Sequence, residues 1–183
     1  CRGKEPTHIG SILYSDRLYP NPDGLVTLVD NHDLPRIATD CGGDLEKVKR
    51  ALTVQLTARG VPSLMYGTES ALTGKNEPEN RADMRFDQQP LRAHIATLLA
   101  LRREHPVFEQ GGTQVLRSEP GVFAHARIHA DEAAIIAVNN SAESIQVDIP
   151  LSLRDAHWTN ILPQVLPLPK GEGRGEGDEL NLH

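Results

Sequence analysis

Residues 25–36 read LVTLVDNHDLPR. Six residues rich in branched apolar side chains are followed at once by an amide, an imidazole and a carboxylate. The first half has the composition of a strand covered on both faces, as in a parallel sheet. Asn31, His32 and Asp33 cannot all point into a core, so they mark a strand end where at least one side chain reaches a crevice. An Asx turn, in which these side chains satisfy loose backbone groups, is the competing structural explanation.

Downstream, Asp44 suits an N-cap, and Leu45, Val48, Ala51, Leu52 and Leu56 recur at helical spacing up to Gly60. VPSLMYG at 61–67 is a second short apolar run stopped by glycine. The order strand, helix, strand predicts a parallel pair with a right-handed crossover. A polar loop spans 68–88, and a second helix is expected from Pro90, through Leu91, Ile95, Leu98, Leu99 and Arg102, to a stop at His105-Pro106. Upstream, Gly10, Pro20, Pro22 and Gly24 predict connecting structure with one short helix.

Beyond Gly111-Gly112 the period becomes strand-like. TQVLRS, GVFAHARI, AAIIAVNN and SIQVDIP are separated by turn signals and predict a small antiparallel sheet domain over 111–166. From 167 to 177 glycine and charge alternate without an apolar face, and residues 167–183 are expected to form a flexible tail. Its glycines do not follow G-x-G-x-x-G spacing, which excludes a nucleotide loop.

Of the 183 residues, 38% are apolar and 24% charged, and 19 Lys+Arg against 25 Asp+Glu give a net charge of -6. This balance excludes a basic nucleic-acid-binding face. No apolar run approaches the roughly 20 residues of a membrane helix, so no membrane span is expected. There is no initiating Met and no leader pattern, so the numbering is expected to begin inside a longer gene product or after processing; localisation is not legible. Cys1 and Cys41 allow one bridge, not a disulfide framework. Adjacent His32 and Asp33 raise the question of a metal, but side chains of neighbouring residues diverge, and His94, His105, His125, His129 and His157 show no ligand spacing. No metal is expected.

VDNHDLPR resembles the segment that closes the seventh barrel strand in the α-amylase family of glycoside hydrolases. RGVPSLMYGTESALTGKNEPENRADMRF, residues 59–86, is similar to that family's eighth-strand region. With LYPNPDG, the likeness is to the neopullulanase and cyclomaltodextrinase branch. The fold it implies is α/β plus all-β: the last two β/α units of a (β/α)8 barrel over residues 1–110, followed by a small antiparallel β-sandwich domain. By the same resemblance Asp33 is the carboxylate that stabilises the distorted sugar and its developing charge, and His32 binds sugar hydroxyls. Asn31 shapes the loop, and Arg81 of the Asn80-Arg81 pair lines or braces the cleft.

Taken alone, Asp33 and Glu69 at neighbouring strand ends look like the two carboxylates of a glycosidase. The resemblance instead puts nucleophile and general acid on earlier strands, outside these 183 residues, and leaves Glu69, with Tyr66, in a supporting place behind the site. The chain is therefore expected to hydrolyse no α-glucosidic bond alone. Its expected partners are an α-glucan, maltooligosaccharide or cyclodextrin substrate and a missing N-terminal barrel segment, or self-association in its place. The family's calcium ligands fall mostly outside these residues, and no cofactor is expected. The alternative is a non-catalytic carbohydrate-binding or interaction module using Tyr66, Phe123 and Trp158 as stacking surfaces.

Overall fold

The computed structural model describes residues 6–148, 157–162 and 179–182. Helix α1, Thr7–Tyr14, and two short 3-10 turns lead to strand β1, Val26–Thr27, and then to a one-turn helix α2, Ile37–Asp40. Helix α3, Leu45–Thr57, follows, capped as its sequence predicts: the Asp44 side chain accepts the backbone N–H groups of Glu46 and Lys47 at 3.0 and 3.1 Å. Strand β2, Val61–Pro62, then runs parallel to β1, with Val26 opposite Val61.

Both strands are shorter than the apolar runs that announced them, 25–30 and 61–67. The Ser63 N–H still reaches the Thr27 carbonyl at 2.8 Å, and the Gln55 amide of α3 donates to the Thr27 and Ser63 carbonyls at 3.0 and 2.8 Å, so past this point the β2 chain bonds to a helix side chain. Nor is the pair covered on both faces, since Val26 is 64% exposed and Val61 54%; among the described residues no strand lies beyond them. Gly60, at φ +96°, brings the chain into β2 so close to β1 that a Cβ would lie 2.4 Å from the Leu25 carbonyl oxygen.

Helix α4, Arg92–Glu104, packs against α3, and the main core lies between them: Val48, Leu52 and Leu56 on one side, Leu91, Ile95 and Leu98 on the other. Each fully buried leucine contributes roughly 1.5–3 kcal/mol. Arg102 continues the α4 stripe yet is itself buried, its guanidinium donating to the carbonyls of Leu56, Ala58 and Gly60 at 3.1, 3.0 and 2.5 Å. A short helix α5, Val107–Gln110, absent from the sequence reading, sets Val107 and Phe108 against Ile136.

The second half contains a three-stranded antiparallel sheet, β3 (Gly112–Glu119), β4 (Val122–His129) and β5 (Glu132–Asn139), with β4 in the centre. A separate pair joins β6, Ile145–Asp148, to β7, Glu179–Leu182. The sequence reading placed 179–182 in a flexible tail. Glu-Leu-Asn-Leu, however, alternates polar and apolar residues, and β6 offers it an edge. The rest of the tail, 167–178 and 183, lies outside the described residues.

Central strand β4 buries two basic side chains. Arg127 donates to the Val107 and Phe108 carbonyls at 3.3 and 3.1 Å and to the Thr113 hydroxyl, and burial pushes its guanidinium down to about 10. His125 lies fully buried against Phe123, ring centroids 5.4 Å apart. Burial lowers it from the usual 6.5 to about 4, with the Thr57 backbone opposing. The native state therefore binds fewer protons at this site than the unfolded chain between these two values. Stability at His125 should be full above pH 6.5 and fall as the pH drops toward 4, by on the order of 3 kcal/mol. Urea unfolding across that range should show a flatter pH dependence for His125→Phe than for the wild type; parallel curves would show that the ring is already charged when buried.

Candidate active site

Strand β1 ends at Thr27, and three residues later the chain reaches Asp30, which is buried. Its Oδ2 accepts the N–H of Ile37, the first residue of α2, at 2.8 Å and lies 3.2 Å from Nε of the equally buried Arg36. Arg36 in turn donates from Nη2 to the Tyr66 carbonyl at 2.6 Å and from its backbone to the Gly74 carbonyl at 2.9 Å. These two charges pinch the ends of the segment between them, so residues 31–35 project as a turn.

Inside the turn, Asn31 Oδ1 accepts the Asp33 N–H at 2.9 Å and the Asn31 carbonyl accepts the Leu34 N–H at 3.3 Å. Asn31 thus closes an Asx turn, and the turn exposes His32 and Asp33. Their side chains are 57% and 65% exposed. Asp33 Oδ2 is 3.3 Å from His32 Nε2, and Oδ1 is 3.5 Å from Arg81 Nη2. Arg81 also donates from Nε to the His32 carbonyl at 3.2 Å and stands 3.4 Å from Glu77.

At these distances and exposures the ionic contacts are worth about 0–1 kcal/mol, too little to hold the turn. They are also longer than tight charged hydrogen bonds, which leaves Asp33 an acceptor that a hydroxyl can reach between an imidazole and a guanidinium. Such a grouping binds and polarises neutral polyols and stabilises positive charge developing nearby.

The supporting residues fall elsewhere. Tyr66 receives Arg36 at its carbonyl, lies under the same guanidinium at 5.6 Å, and donates its hydroxyl to the Ala82 carbonyl at 3.1 Å, bracing the β2 end. Glu69 is not among the charged neighbours of Asp33. It lines an open cavity of about 490 Å³ with Leu64, Met65, Tyr66, Gln89 and Arg92, and its carbonyl accepts the Leu91 N–H at 3.1 Å. Of the three rings considered as stacking surfaces, Phe123 is fully buried and Trp158 half-buried, leaving only Tyr66 exposed. Among the described residues no three His, Cys, Asp or Glu side chains gather as metal ligands.

Sequence reasoning missed Asp30 and Arg36 as the bracket beneath the turn. The available signal was their position, one on each side of NHDLP, opposite in charge and adjoining an apolar run.

Solved structures that superpose on the chain include an α-amylase and a cyclomaltodextrin glucanotransferase. The α-amylase from Geobacillus thermoleovorans, crystallised with acarbose, superposes with a TM-score of 0.72 at 30% identity, over 77% of this chain and 33% of that one. CldA, a cyclomaltodextrin glucanotransferase with a three-domain ABC distribution, superposes with a TM-score of 0.86 at 28% identity, over 98% of this chain and 39% of that one. The class the chain resembles is that of the α-amylase-type glycoside hydrolases and transferases. Residues 17–111 match the alpha amylase catalytic domain, and the chain belongs to the α-amylase family. Among curated relatives, a cyclomaltodextrinase from Geobacillus thermopakistaniensis is 32% identical over 163 residues, 81% of this chain. A cyclomaltodextrin glucanotransferase from Geobacillus stearothermophilus is 40% identical over 121 residues, 65% of this chain. The chain spans only 28% and 17% of the lengths of these two relatives.

Proposed function

We propose that this chain supplies the Asp33 side of the active site of an enzyme that hydrolyses α-glucosidic bonds in α-glucans, maltooligosaccharides or cyclodextrins. The observation that carries this reading is the exposed Asp33, flanked by His32 and Arg81, on a braced turn just beyond a parallel strand pair. Asp33 stabilises the distorted sugar and the oxocarbenium charge that develops as the bond breaks, while His32 and Arg81 bind hydroxyls around it. Asn31 shapes the turn, and Tyr66 and Glu69 support the strand end behind it.

In this reading residues 1–110 are the last two β/α units of a (β/α)8 barrel and residues 111–166 a small antiparallel sheet domain. Two observations support it: the family match ends at residue 111, and the β1–β2 pair carries uncovered apolar side chains at Val26 and Val61, as strands awaiting neighbours would. Glycoside hydrolysis needs one carboxyl group to protonate the leaving oxygen and another to attack or to activate water. In this reading Asp33 performs neither task, and the barrel segment that completes the site supplies both carboxyl groups.

The 183-residue chain by itself is therefore expected to release no reducing sugar from cyclodextrin, pullulan or starch. Hydrolysis with retention of configuration by the isolated chain, undiminished in Asp33→Asn, would overturn the proposal.

A further inference from the structure

The exposed ion pairs do not hold the turn that carries Asp33; a buried amide does. Asn80, 4% exposed, donates both Nδ2 hydrogens, one to the His32 carbonyl at 3.0 Å and one to the Leu34 carbonyl at 3.1 Å. These carbonyls flank Asp33. Both partners are acceptors, which settles the orientation of the amide, and Oδ1 is left buried with no partner. Asn80 is itself held from behind by Gly74: at φ +154°, a Cβ there would sit 2.5 Å from both the Asn80 nitrogen and Cα. The Gly74 N–H donates to Thr39 Oγ1 at 2.7 Å, and its carbonyl accepts the Arg36 N–H. The 74–80 loop thus ties the bracket beneath the turn to the clamp beside it.

We propose that Asn80 is the positioning residue of the site, holding His32 and Asp33 in the orientation that meets a sugar by gripping the backbone on either side of Asp33. The proposal rests on the functional reading above for what the turn meets; the grip itself is tested without substrate.

The experiment is NMR of the 183-residue chain as wild type, Asn80→Ala and Asn80→Asp. Asn80→Ala should leave the β3–β5 amide signals in place, shift the His32 imidazole and Asp33 carboxylate signals, and speed exchange of the Asp33 and Leu34 amides by at least about tenfold. In Asn80→Asp an ionised carboxylate faces two carbonyl oxygens, whereas a protonated one can donate to one of them. Its turn signals should therefore return toward wild type as the pH falls through the carboxyl range, each pH being compared with wild type to subtract the titration of Asp33 and Glu77. Unmoved His32 and Asp33 signals in Asn80→Ala, or no acid recovery in Asn80→Asp, would overturn the proposal. So would loss of the β3–β5 signals in both variants, because Asn80 would then serve the whole fold and not the turn. Adding maltoheptaose to the wild type is the separate arm: if His32 and Asp33 do not respond, the functional reading fails while the grip of Asn80 stands.

Discussion

Arg36→Met is expected to lower the stability of the chain by about 3–5 kcal/mol, the cost of removing one partner from a buried ion pair. Such a loss is comparable with the whole stability of many domains of this size. Arg36 and Asp30 are both almost completely buried, and their contact at 3.2 Å has no solvent to replace it. Methionine would fill most of the volume, yet it would strand the Asp30 carboxylate with one donor, the Ile37 N–H, and leave the Tyr66 carbonyl without its donor. The damage should be electrostatic and not steric. Asp30→Leu combined with Arg36→Met removes both charges and should cost less than Arg36→Met alone. Urea midpoints at constant m-value measure all three proteins. A loss below about 1 kcal/mol in the single variant, or a double variant worse than the single, would show that the pair is not what anchors the turn.

How far the fold could be read from the sequence depended on the range of the interactions. The cap at Asp44 and the stripe Val48, Leu52, Leu56 act within one helix, and local patterning was enough to find them. The NHD turn was equally visible, because a polar cluster after an apolar run has few places to go. What local patterning could not show is where a strand stops pairing: beyond Thr27 and Ser63 the chains meet Gln55, a polar residue on a neighbouring helix whose reach across 28 residues leaves no periodic trace. Helix α5 escaped because four residues give no period, and its placement depends on Arg127, 20 residues away. The buried polar side chains were hardest of all. Arg36, Asn80, Arg102 and Arg127 each look like ordinary surface residues in the sequence, and each is buried because it donates to backbone carbonyls 19–48 positions distant. The candidate site was thus legible in the residues it exposes and hidden in those that hold it.

The second large effect concerns Asp33. If it faces the developing sugar cation, replacing its charge by an amide of the same shape keeps the turn, since the only hydrogen bond made by its backbone N–H runs to Asn31, and removes the transition-state contact. Losses on the order of 10²–10³-fold in kcat follow from removing one such electrostatic contact. KM should change far less, because the ground-state sugar carries no charge for Asp33 to meet. On the proposed reading the effect appears only where the acid and nucleophile carboxylates are supplied. The direct measurement is therefore reducing-sugar release from cyclodextrin by this chain alone and by this chain joined behind the barrel strands that precede its match in the Geobacillus thermopakistaniensis cyclomaltodextrinase, each with and without Asp33→Asn. The expected result is no release by the chain alone, and release by the joined protein that falls by about 10²–10³-fold in the variant while KM holds. Release by the chain alone that survives Asp33→Asn, or a joined protein indifferent to that substitution, would contradict the assignment of Asp33 as the carboxylate this chain brings to the active site.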